Sequence, residues 1–61
     1  MILSFNAEAQ LIKEYKKYAY QAFDKGDYKQ AMDNFFQAYL KDSFNLKLLY
    51  KYAESARLYQ S

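Results

Sequence analysis

The chain has 61 residues and a formal net charge of +2 at pH 7, and 52% of its residues are hydrophobic. This length allows one small domain, over residues 1–61, and the hydrophobic content excludes intrinsic disorder. Cysteine and histidine are absent, which excludes disulfides and thiolate metal sites and removes the most common general base and zinc ligand.

No run of apolar residues approaches the roughly 18 residues that are needed to cross a bilayer. Residues 1–6 are few and contain no basic residue, so we do not expect them to form a signal peptide. The sequence therefore predicts a cytoplasmic protein that has no membrane partner.

Three helices are predicted, because proline is absent and Gly26 is the only glycine. Those two residue types interrupt helices, and no segment shows the apolar–polar alternation of a strand. The predicted helices cover residues 7–25, 28–41 and 46–60, after a lead-in over residues 1–6. The connections are short, so this all-α fold is expected to have antiparallel neighbouring helices.

Polar residues mark the predicted starts of the first and third helices. Ser4 or Asn6 is expected to accept the first free N–H groups of the first helix, with Glu8 in its first turn. Asn45 is expected to cap the third helix in the same way.

The connection between the first and second helices has a stronger sequence signature. Gly26 stands where a left-handed residue commonly ends a helix. Asp27 follows as the expected N-cap of the second helix, and Gln30 three residues later completes a pattern similar to a capping box.

Apolar residues recur in each helix at spacings of three and four, which predicts one packed stripe per helix. The predicted stripes are Leu11, Tyr15, Tyr18, Ala19 and Ala22; then Tyr28, Ala31, Met32, Phe35, Ala38 and Tyr39; then Leu49, Tyr52, Ala53 and Ala56.

An internal echo appears when the sequence is shifted by 34 residues along itself. The identical pairs are Lys13 and Lys47, Lys17 and Lys51, Tyr18 and Tyr52, Ala19 and Ala53, and Ala22 and Ala56. A period of 34 is the spacing of tetratricopeptide repeats.

The chain resembles the tetratricopeptide repeat family over about residues 12–60, which is one and a half repeats. The positions that carry the resemblance are Tyr15, Tyr18, Ala19, Gly26-Asp27-Tyr28, Ala31, Phe35 and Ala38. It departs from the family at Ala22, where an aromatic residue is usual, and at Ser43, where proline is common. The resemblance implies an α-α superhelix and a non-enzymatic protein-interaction or scaffold function. A microtubule-interacting-and-trafficking domain and a plain three-helix bundle are the alternatives for the fold.

The resemblance also implies a concave surface that binds an extended or helical peptide, here one with acidic and apolar residues. The expected groove residues are Lys13, Lys16, Tyr20, Phe23, Lys47, Tyr50 and Arg57. Tyr20 and Phe23 have an alternative role, which is to complete the core. Tyr20 stands where the chaperone-tail-binding subfamily has asparagine, so a dicarboxylate clamp is not expected.

Catalytic motifs are absent, and we expect neither enzyme activity nor a cofactor. The aspartates that flank Gly26 lack the ligand spacing of a calcium loop, and one glycine cannot form a glycine-rich phosphate loop. Lysines that alternate with tyrosines over residues 13–20 leave a nucleic-acid-binding helical domain as the alternative function, although nine basic against seven acidic residues is a weak basic excess.

Self-association is expected as well, because about three repeats are normally needed to bury the apolar faces of such units. A second apolar strip runs along the third helix, and the apolar arc of the second helix is broad. The residues expected to mediate a homo-oligomer are Leu48, Tyr52, Tyr59, Phe36 and Leu40. The same features fit a fragment of a longer repeat protein.

Overall fold

A computed structural model describes the backbone of residues 2–61 and the side chains of residues 7–61. Regular secondary structure in this part of the chain consists of α1 (Ile2–Asp24), α2 (Tyr28–Lys41) and α3 (Leu46–Gln60). The predicted all-α fold is confirmed, and α2 and α3 have the predicted bounds.

The predicted start of α1 is wrong, because the helix begins at Ile2 and includes residues 2–6. Ser4 and Asn6 lie within the helix and therefore do not cap it, and their side chains lie outside the described residues, as does all of Met1. Glu8 lies beyond the first turn. A capping side chain contributes only about 1 kcal/mol, so it does not force a helix to begin there when the preceding residues contain no proline or glycine.

The turn between α1 and α2 is a Schellman motif that continues directly into an N-cap. Gly26 has a positive φ of 81°. Its N–H donates to the Phe23 carbonyl (3.0 Å), and the Asp27 N–H donates to the Ala22 carbonyl (2.9 Å). The Asp27 carboxylate then accepts from the Gln30 N–H (3.3 Å). The predicted caps are confirmed, but the Asp27 N–H is bonded to Ala22, so the reciprocal half of a capping box is not formed.

Helices α1 and α2 are antiparallel. The rings of Tyr20 and Phe35 meet edge to face, with centroids 5.0 Å apart. Near the other end of the pair, the Lys41 ammonium lies 3.7 Å from the Glu8 carboxylate. Residues that are early in α1 therefore lie beside residues that are late in α2.

Helices α2 and α3 are antiparallel as well. The Phe36 and Tyr52 rings lie 5.4 Å apart. A hydrogen bond from Lys29 to Asp33 and the charge of Asp33 raise the pKa of Lys29, and the charge of Tyr59 of α3 adds to this shift. The connection over residues 42–45 is short, which places the two packed helices in antiparallel order.

The second turn ends in the predicted N-cap. The Asn45 side chain accepts from the Leu48 N–H (3.4 Å), and its amide donates to the Asp42 carboxylate (3.2 Å). This side-chain bond between two turn residues fixes the start of α3.

The core is small and lies where α2 meets its neighbours. The buried apolar residues are Ala19, Ala31, Phe35, Ala38 and Leu48. The Cα atoms extend over 44 × 21 × 12 Å. α2 contacts both α1 and α3, so the helices pack as an α1–α2 hairpin with α3 added against α2.

The predicted packing face of α3 is wrong at Leu49 and Ala53, whereas Tyr52 packs against the core as expected. Leu49 is 39% exposed and Ala53 is exposed, whereas Leu48 and Ser55 are buried. The Ser55 hydroxyl donates to the Lys51 carbonyl (2.8 Å), so it is buried without an unpaired hydrogen-bonding group. The spacing of apolar residues could not show which face of α3 is buried, because α3 has two apolar stripes and the buried one contains a serine.

The predicted stripe of α1 also needs correction. Tyr18 is 49% exposed and Leu11 is 41% exposed. The inner side of α1 is instead formed by Ala19, with Tyr15 and Ala22 packed against the core. Tyr18 lies at the edge of this stripe, and its hydroxyl makes an exposed position favourable.

Replacement of Gly26 by valine is expected to lower the free energy of unfolding by about 1–2 kcal/mol, because a β-branched residue is strained at positive φ. A Cβ at this position would meet no atom within 4 Å, so the cost comes from the backbone alone. Urea denaturation followed by circular dichroism measures it. Gly26→Asn is the control and is expected to lose less; equal stability of Gly26→Val and the parent chain would contradict the turn.

Adjacent leucines test the orientation of α3. Leu48→Ala is expected to cost about 2–5 kcal/mol because it empties a buried site. Leu49→Ala is expected to cost only about 0.5 kcal/mol, as at most surface positions. Thermal and urea unfolding of both variants check the difference, and a larger loss for Leu49→Ala would mean that α3 packs through its other face.

Candidate functional site

A lysine of α3 lies over two aromatic rings of α1. The Lys51 ammonium lies 3.8 Å from the ring centroid of Phe23 and 5.7 Å from that of Tyr20. It also pairs with the Glu54 carboxylate at 3.0 Å. These four residues form the Lys51 cluster, in which cation–π attraction joins α3 to α1, while the ion pair with Glu54 lies within α3.

Sequence reasoning missed Lys51, because a lysine is expected in solvent and not over rings. The side chain is only 19% exposed. Two signals point to it: it follows the buried Leu48 by three residues, and it forms one of the pairs in the 34-residue echo, with Lys17. A long aliphatic stem lets its charged group reach the aromatic faces while the stem covers apolar surface.

Two predicted groove residues belong to the packing of α1. Phe23 packs against the core and meets Tyr28 edge to face at 5.4 Å, so it is not a free groove residue. Tyr20 is 37% exposed and its ring contacts Phe35, so it contributes to packing and to the surface. The alternative role as core residues therefore applies fully to Phe23 and partly to Tyr20.

The remaining groove residues are four basic side chains and a tyrosine. Lys13, Lys47 and Arg57 are exposed, Lys16 is half-buried, and Tyr50 is 66% exposed. Over residues 7–61 no ion pair involves any of these four basic side chains. Their charges are available to an acidic ligand, whereas the charge of Lys51 is already paired.

The predicted self-association residues divide into two groups. Leu48 is buried and Tyr52 is half-buried against the core and Phe36, so neither provides the exposed strip that was expected on α3. Phe36, Leu40 and Tyr59 are 40%, 57% and 52% exposed. Only the second group is accessible to another molecule.

Helix α3 presents an apolar face to solvent. Leu46, Leu49, Ala53 and Ala56 lie on the side of α3 away from Leu48, and we call them the open α3 face; Leu46 is 72% exposed and Ala56 is half-buried.

On α1, the two positions equivalent to the buried residues of α3 are polar. Glu14 and Gln21, which precede the buried Leu48 and Ser55 by 34 residues, are both exposed. Gln10 donates a hydrogen bond to Glu14 at 3.2 Å. These two positions of α1 therefore lack the apolar character of the equivalent α3 positions, although Leu11 and Tyr18 of α1 are exposed as well.

The described residues offer surfaces and no enclosed site. They contain no pocket and no group of acidic residues that could hold a metal ion. None of the helices described is both long enough and apolar enough to cross a membrane.

Comparison with protein-family models, with curated proteins and with solved structures gives no match for this chain. The resemblance to tetratricopeptide repeats therefore rests on the sequence positions themselves.

Removal of the charge at Lys51 is expected to destabilise the protein. Lys51→Gln loses the cation–π contacts and the pair with Glu54, at a cost of about 1 kcal/mol. Lys17→Gln is the matched control, because Lys17 lies 5.8 Å from the centroid of the exposed Tyr18 ring. Equal urea midpoints for the two variants would show that the Lys51 cluster does not hold α3 against α1.

Proposed function

We propose that this chain is a non-enzymatic, cytoplasmic protein–protein interaction module of the tetratricopeptide repeat type. One observation carries the proposal: the packed three-helix fold leaves large apolar side chains in solvent. Phe44 is 95% exposed, Leu46 72% and Tyr50 66%. Large apolar side chains with this degree of exposure favour a surface where another polypeptide binds.

The buried residues support the repeat type. Ala19, Ala31, Phe35 and Ala38 are four of the positions that carry the resemblance, and all four are fully buried. Small residues at these positions let the helices approach closely, and Phe35 fills the space between them. The positive φ of Gly26 fits the family turn in the same way.

A peptide with acidic and apolar residues is the proposed ligand of the α1 surface. Lys13 and Lys16 supply unpaired charge, and the partly exposed ring of Tyr20 lies one turn after Lys16. Carboxylates would meet the lysines while an apolar side chain covers the ring. Charge complementarity of this kind sets specificity and the association rate more than raw affinity.

Self-association stays a prediction. The accessible residues for it are Phe36, Leu40 and Tyr59. Sedimentation over a concentration series measures it directly.

Charge reversal at Lys16 tests the ligand surface. Lys16→Glu is expected to weaken binding of a labelled peptide that alternates Glu with Leu and Phe by about tenfold, because an attraction becomes a repulsion. Lys17→Glu carries the same change in net charge on the polar side of α1, and is expected to leave affinity within about twofold. Fluorescence anisotropy measures both, and circular dichroism confirms that the variants fold.

Equal affinity of the parent chain and Lys16→Glu would remove this surface from the proposal. A titration with salt separates the alternative function. An oligothymidylate that binds more tightly than the peptide, with a steep loss of affinity as salt rises, would indicate a nucleic-acid-binding domain instead.

A further inference from the structure

The open α3 face corresponds in sequence to a face of α1 that packs against another helix of this structure. In the 34-residue echo, the open α3 face (Leu46, Leu49, Ala53 and Ala56) corresponds to Ile12, Tyr15, Ala19 and Ala22. Two of these four pairs are identical alanines. The same kind of surface therefore occurs twice in the chain.

On α1 this surface is covered by α2. Ala19 is fully buried in one cluster with Ala31, Phe35 and Ala38 of α2, and Tyr15 packs against the same cluster. A residue as small as alanine at the centre of the stripe allows the α2 backbone to come close.

On α3 the corresponding surface is uncovered. Leu46 is 72% exposed and Leu49 39%, and Ala53 is exposed at the middle of the helix. α3 contacts α2 through its opposite side, where Leu48 and Ser55 are buried. The helix therefore has one face in use and a second that matches the α2-binding face of α1.

A charged residue distinguishes the open α3 face from the corresponding face of α1. Arg57 of α3 stands where α1 has Phe23, and the Phe23 ring meets Tyr28 at the start of α2. Arg57 is exposed, and no ion pair among residues 7–61 involves it. An occupant of the open α3 face would place its residue equivalent to Tyr28 beside this guanidinium, which favours a carboxylate there.

We propose that the open α3 face binds an amphipathic helix of a partner polypeptide, antiparallel to α3. Its contacting residues follow the α2 spacing: an acidic residue first, then alanine, phenylalanine and alanine at three, seven and ten positions further on, as at positions 28, 31, 35 and 38. This inference rests on the proposed interaction function and names the partner for a second surface of the module.

The α1 and α2 helices of a second copy are not expected to supply this helix. The corresponding face of its own α2 is buried against α1, as the complete burial of Phe35 and Ala38 shows. The outer face of its α1 carries the exposed Glu14 and Gln21, which cannot replace an apolar stripe.

The test uses a labelled peptide, the acidic α2 peptide, which has the sequence of residues 27–42 with the replacement Tyr28→Glu. Fluorescence anisotropy with the full chain is expected to show saturable binding, and a scrambled peptide is expected to show none. Ala53→Glu is expected to weaken binding by at least about tenfold, because it places a carboxylate in the apolar stripe. Ala9→Glu, at an exposed alanine of α1, is the matched control and is expected to leave binding unchanged.

A charge exchange tests the register. Arg57→Glu in the full chain is expected to weaken binding of the acidic α2 peptide about tenfold, and a peptide with the replacement Tyr28→Lys is expected to recover most of the loss. Sedimentation of the chain alone shows whether a second copy competes for the face.

Three results would overturn the inference: no saturable binding, binding that is insensitive to Ala53→Glu, or a concentration-dependent dimer that Ala53→Glu abolishes. Insensitivity would mean that the peptide replaces α2 against α1, and the dimer would make the occupant a second copy. The Lys16 experiment uses another surface and another peptide, so its success beside any of these results would leave the proposed function in place.

Discussion

The close approach of α1 and α2 around Phe35 is the contact on which the remaining structure depends. Among residues 7–61, Phe35 is the only fully buried aromatic residue, and the alanines Ala19, Ala31 and Ala38 surround it. Alanine loses no side-chain entropy on burial, so a core of this composition orders the chain at low cost. It also brings the helix axes near enough for one phenylalanine to fill the gap. α3 is then added to a pair of helices that already has a defined side for it.

The sequence allowed prediction of those parts of the fold that local chemistry determines. Gly26 and Asp27 specify the first turn through a positive φ and a capping carboxylate, and Asn45 specifies the start of α3. The start of α1 was not predictable in this way, because nothing in residues 2–6 opposes helix formation. The packed face of α3 is a tertiary property: both of its stripes have helical period, and only the position of α2 decides that Ser55 is buried while Ala53 is exposed.

The interaction surface was predicted in part for a related reason. Unpaired lysines on α1 follow from the sequence alone, since lysine is rarely buried. The location of Lys51 over Phe23 is different, because it depends on how α3 lies against α1. Phe23 was assigned to a groove from its angle on an isolated helix, and a lysine from a neighbouring helix covers it. Angles within one helix do not contain that information.

The contrast between the two copies of the repeated sequence has a consequence for head-to-tail association of this chain. Glu14 and Gln21 of α1 stand where α3 has the buried residues Leu48 and Ser55, and both are exposed. Docking of the open α3 face onto these two side chains in another copy would bury a carboxylate against an apolar stripe. Heterologous stacking of α3 onto this side of α1 is therefore disfavoured.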